Sequence, residues 1–139
     1  MALQVDRARQ LGAYLAAWRP AGWCWAQVHC GSFAAGWVQH ATGRDALAGL
    51  RGITTLAGWA RAVRGDMAGL VTRQLGGLLP QAPALARTGD VLLLPGHMAG
   101  GTLGICNGRH AVVLDDRGAV HMVPAVAATH AWALDGVAA

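Results

Sequence analysis

At 139 residues, the chain has the length of one domain with one core. Hydrophobic residues make up 54% and charged residues only 13%, which excludes a disordered chain and suggests a surface partly covered by partners. The net charge of +4 does not imply nucleic-acid binding: every basic residue is Arg and every acidic one is Asp, and the arginines are scattered rather than gathered on one face.

Two further classes are set aside. The most apolar window, Val91 to Cys106, is broken by Pro95, His97 and several glycines, so no transmembrane helix is expected. Asp6, Arg7 and Arg9 stand where the apolar part of a signal peptide would begin, so synthesis in the bacterial cytoplasm without a signal peptide is expected. Three cysteines, Cys24, Cys30 and Cys106, lack a framework spacing and leave at least one free thiol.

In chain order, residues 3–18 predict an amphipathic helix with Ala8, Leu11, Leu15 and Trp18 on its apolar stripe. Arg19-Pro20-Ala21-Gly22 ends it. A second helix runs from about Cys30 to Thr42, stops at Gly43, and turns Phe33, Ala34 and Trp37 to the core. Thr54 or Thr55 caps a third, carrying Leu56, Trp59, Ala60 and Val63. Asp66 caps a fourth, with Met67, Leu70, Val71 and Leu75 as its apolar face. Residues 76–83 read as a connector.

From Asp90 the pattern changes to short runs rich in aliphatic and β-branched residues: Val91–Leu94, Thr102–Cys106, His110–Leu114 and Val120–Val123, with a last strand near Ala131–Leu134. Gly96, Gly100-Gly101, Asn107-Gly108 and Asp115–Gly118 punctuate them, Asn107-Gly108 as a tight hairpin turn. Helices over about 1–88 followed by an antiparallel β-meander over about 89–139 define an α+β domain.

This ordered pattern resembles the NlpC-type cysteine peptidases, a papain-like α+β fold that cuts peptidoglycan stem peptides. Trp23-Cys24-Trp25-Ala26 stands where that family has an aromatic-x-Trp-Gly stretch, and His29-Cys30 where it has Asp-Cys. Gly89-Asp90-Val91-Leu92-Leu93 matches its Gly-Asp strand, and Thr102-Leu103-Gly104-Ile105-Cys106 its histidine-bearing strand. The chain is most similar to a divergent phage and prophage branch found among tail genes. It shares that branch's Thr42-Gly43-Arg44-Asp45, Leu50-Arg51-Gly52 and Gly104-Ile105-Cys106-Asn107-Gly108.

The resemblance implies Cys30 as nucleophile. The residues agree: unpaired N–H groups at a helix start stabilise a thiolate, and a buried, inert Cys is the alternative reading. The family's histidine position falls on Thr102, which is no base at neutral pH. His110, resembling the family's third residue, and His97 on the Gly-rich loop are the candidate bases, while Trp23 and Trp25 are placed to wall a substrate groove. Cys24, His29 and Cys30 with His97 or His110 lack the paired spacing of a zinc site, so neither a metal nor another cofactor is expected. Trp132 suits the core or an interface. The expected role is a structural component of a phage, prophage or phage-like tail tip with a degenerate peptidase site. It would reside in the virion's distal tail against other tail-tip or hub proteins. The alternative is an active peptidase, with peptidoglycan as the partner, that cleaves stem peptides during genome entry.

Overall fold

The computed structural model describes residues 2–18, 30–46, 58, 61–62, 65–75, 78–96, 101–115 and 118–135, with only the backbone at residues 2–5 and 30. Three helices lie wholly within the described residues: α1 (Ala2–Ala17), α2 (Cys30–Thr42) and α3 (Met67–Gln74). Six strands follow: β1 (Leu79–Gln81), β2 (Val91–Leu94), β3 (Thr102–Asn107), β4 (His110–Leu114), β5 (Val120–Pro124) and β6 (His130–Ala133). They form one antiparallel sheet in the order β1-β6-β2-β3-β4-β5. The fold class is therefore α+β. No helix among the described residues is long and apolar enough to cross a membrane.

The helices form for the reasons their sequences give. α2 stops where Gly43 adopts φ +77° and its N–H reaches the Gln39 carbonyl at 2.8 Å, a left-handed ending that glycine tolerates best. The Asp66 carboxylate accepts from Gly69 N at 2.9 Å and caps α3, whose Met67, Leu70 and Val71 are buried. Gly58, Arg61 and Ala62 are helical, but the other residues of the expected third helix lie outside those described.

Strand alternation divides the sheet into two apolar layers. On one face Val91, Leu93, Leu103, Ile105, Val112, Leu114 and Trp132 join Leu11, Phe33, Ala34, Trp37, Val38, Met67 and Leu70 of the helices. On the other, Leu92, Leu94, Cys106, Ala111, Val113 and Ala131 form a smaller layer beneath Ala86, Val123, Ala125 and Ala128. Burial on both faces is why Val91–Leu94 reads as an unbroken apolar run.

Four differences from the sequence reading have physical causes. The connector over 76–83 contains β1: Pro80 lacks an N–H, but at a sheet edge that loss is tolerated, and buried Leu78 anchors the approach. The meander holds for β2–β5, whereas β6 crosses back through the 3₁₀ turn Ala125–Ala127 to lie between β1 and β2. The hairpin loop is Gly108-Arg109, one residue later than expected, because Asn107 already pairs with His110 and Gly108 carries the positive φ of +71°. On α1, Ala8 is exposed, and the buried positions include Arg7 as well as Leu11. Arg7 tolerates burial because its Nη1 donates to Gln10 Oε1 (2.7 Å) and the Ala41 carbonyl (3.2 Å), while its Nη2 pairs with Asp135.

Candidate active site

Cys30 is the first residue of α2, at the positive end of the helix dipole. The helix behind it is held firmly. Tyr14 of α1 donates its hydroxyl to the Phe33 carbonyl at 2.7 Å, and its ring lies 5.9 Å from Phe33 and 5.7 Å from Trp37. A Cβ at Gly36 would fall 2.6 Å from that hydroxyl, so a glycine there lets α1 and α2 close.

Trp37 Nε1 donates to the Gly89 carbonyl at 2.7 Å, and Gly89 N donates in turn to the Cys106 carbonyl at 2.9 Å. These bonds tie the later turns of α2 to the end of the sheet where β3 finishes. At about 1.5 Å of rise per residue, Cys30 lies roughly 10 Å along the helix from Trp37.

That geometry bears on the candidate bases. His110 opens β4 beside the Gly108-Arg109 turn and is exposed. The described hydrogen bonds connect its end of the sheet to Trp37 rather than to the helix start. Thr102 pairs with Leu94 across β2 and β3, so its side chain stands on the sheet face away from α2. Its hydroxyl is buried and has no hydrogen-bond partner among the described residues. His97, Trp23 and Trp25 lie outside the described residues, as do Cys24 and His29. Among the described residues no three His, Cys, Asp or Glu gather as a metal site would require.

The Gly89-Asp90 motif is a structural junction. Asp90 is 1% exposed, and its carboxylate accepts three hydrogen bonds. Oδ2 takes Gln81 Nε2 at 2.6 Å and Arg87 N at 2.9 Å, while Oδ1 takes Leu134 N at 2.9 Å. One side chain thereby fastens β1, the entry to β2 and the end of β6. Gly89, at φ +98°, would place a Cβ 2.6 Å from Arg7 Cγ, so the motif also admits α1. Sequence reasoning found the Gly-Asp pair but not Gln81, Arg7 or Asp135, whose partners lie far along the chain.

The glycine and cysteine of the β3 motif also have packing reasons. A Cβ at Gly104 would meet Val113 Cγ1 at 2.8 Å, so this glycine lets β4 side chains close over β3. Cys106 is free and buried, and its Sγ donates to the Gly108 carbonyl at 3.4 Å. Burial, with the Asp90 carboxylate nearby as a smaller cause, pushes its thiol pKa up and keeps it protonated. Trp132 belongs to the core rather than to an interface: it is buried and donates Nε1 to Thr72 Oγ1 at 3.0 Å.

A family model described as "Domain of unknown function (DUF6950)" matches residues 4–134, and the chain belongs to that family. No curated protein matches the chain.

Proposed function

From a chain that carries the DUF6950 domain along nearly its whole length, we propose a tail-tip component of a bacteriophage, prophage or phage-like particle. In this reading the domain has a papain-like, NlpC-type fold, its peptidase site is degenerate and its role is structural. The observation that carries the reading is Thr102. By resemblance it falls where NlpC-type peptidases have their histidine, it cannot take a thiol proton at neutral pH, and its side chain turns away from α2. An apolar composition with few charges agrees with a protein that works against other tail-tip or hub proteins. The test is binding to neighbouring tail proteins after co-expression, followed by size-exclusion chromatography and mass spectrometry. Stable co-elution supports the proposal. A monomer with no affinity for any of them overturns it.

A second reading rests on the place of Cys30 at the start of a 13-residue helix. There the helix dipole favours a thiolate. With His97 or His110 as base, Cys30 would attack a stem-peptide amide, and Trp23 and Trp25 would line the groove. Iodoacetamide labelling of Cys30 across pH, resolved from Cys24 and Cys106 by mass spectrometry, separates the two. Labelling that persists well below the free-thiol value of ~8.5 favours the peptidase.

A further inference from the structure

The sheet face away from α2 carries a groove of about 610 Å³, walled by Pro83, Ala84, Ala86, Ala125 and Val126 and joined by Arg109. We propose that this groove binds a medium-chain fatty acid, with the Arg109 guanidinium holding the carboxylate and the apolar walls holding the tail. The site is separate from Cys30, and it stands whether or not the tail-tip reading holds.

The walls come from two short 3₁₀ turns, Pro83–Leu85 and Ala125–Ala127, that frame the sheet face. Their small side chains leave a volume in the range of small-molecule sites. Val126 is 93% exposed, and Leu85 on the first turn is 67% exposed. A hydrocarbon tail laid in the groove covers apolar surface of this kind that water otherwise meets.

Arg109 supplies the head's partner. It is the charged residue of the lining, stands in the two-residue loop between β3 and β4, and is exposed. Among the described residues it has no ion pair, so it turns to a ligand without giving up a partner. Its planar fork of N–H groups matches the two oxygens of a carboxylate.

The backbone around the groove narrows the choice further, because its carbonyls are already engaged. Pro83 O accepts from Ala86 N at 3.1 Å, Arg109 O from Ala125 N at 2.9 Å, and Ala125 O from Ala128 N at 3.0 Å. Gly108 O accepts from the Cys106 thiol at 3.4 Å. An amine or alcohol head would meet a guanidinium that cannot accept from it. A peptide C-terminus carries the right carboxylate, but its amide N–H groups would lie against apolar walls and occupied carbonyls. A fatty acid asks for one polar contact and no more. Its head belongs at Arg109 on the open turn rather than at Cys106, which the Asp90 carboxylate already influences.

The test titrates the full chain at pH 7 with octanoate and follows the amide shifts of Ala84, Gly108 and Val126 in two-dimensional NMR spectra. Acetate serves as the head without the tail, 1-octanol as the tail without the charge, and N-acetyl-alanyl-valine as the carboxylate on a peptide. A methylene fully removed from water is worth roughly fourfold in affinity, so octanoate should bind at least about tenfold tighter than acetate even in an open groove. It should also bind about fivefold tighter than octanol, and tighter than the dipeptide. Arg109→Gln should bring octanoate down to the affinity of octanol. Ala84→Trp, at an exposed position, should fill the groove and abolish binding while leaving the thermal midpoint unchanged. No saturable shift with octanoate, affinity no better than that of acetate, octanol or the dipeptide, or unchanged binding in R109Q or A84W overturns the proposal.

Discussion

Asp90 gives the most exacting test of how this fold is held together. Asp90→Asn keeps the shape of the side chain but replaces one acceptor oxygen by an NH₂ donor. The native carboxylate faces three donors, Gln81 Nε2 and Arg87 N on one oxygen and Leu134 N on the other. Whichever way the amide turns, at least one buried donor meets another donor. Leaving one such group unpaired costs about 1–3 kcal/mol, and the remaining bonds weaken as the acceptor loses its charge, by about 0.5–1 kcal/mol each. The expected loss is therefore about 3 kcal/mol, a large part of the roughly 5–15 kcal/mol that stabilises a domain. Asp90→Ala removes all three acceptor contacts and should leave the protein largely unfolded. Urea unfolding followed by circular dichroism measures the difference, with the slope expected to stay unchanged. If D90N falls within about 0.5 kcal/mol of the parent, the junction does not hold the sheet as argued.

Other consequences follow from the helix layer. Gly36→Ala should destabilise by about 1–3 kcal/mol, because its Cβ meets the Tyr14 hydroxyl at 2.6 Å; in a Tyr14→Phe background the same change should cost much less, a coupling that a double-mutant cycle detects. Asp135→Ala strands the buried Arg7 guanidinium and should cost about 2–3 kcal/mol in urea unfolding, whereas Arg7→Met, which removes the charge, should cost less. Burial pushes the Tyr14 hydroxyl well above its ordinary value of about 10. Above that pH the unfolded chain releases the proton and the folded one keeps it, so Tyr14's contribution to stability is complete below pH ~10 and is lost as pH rises. Thermal midpoints from pH 9 to 11 should fall, and fall less steeply in Y14F.

Much of this fold is legible in the sequence because local signals agree with the final packing. Gly43 ends α2, Asp66 caps α3, and the β2 and β4 runs appear at their observed bounds. β1 was hidden because it has three residues with a proline at its centre, and only its pairing to β6, some fifty residues later, makes it a strand. Arg7 could not be read as buried from helical periodicity, since its partner Asp135 lies at the far end of the chain. The candidate site divides in the same way. The place of Cys30 follows from the helix that it starts, which local sequence specifies. The side of the sheet on which Thr102 stands depends on the pairing register of β2 and β3, which the sequence alone did not fix.

The tail-tip proposal requires that Cys30 no longer cuts peptidoglycan. Its most direct test is release of soluble peptides from purified peptidoglycan sacculi by the wild-type protein and by Cys30→Ala, with folding of both checked by circular dichroism. The account predicts the same background release from each. Release by the wild type that disappears in the C30A protein would contradict it and establish Cys30 as a working nucleophile.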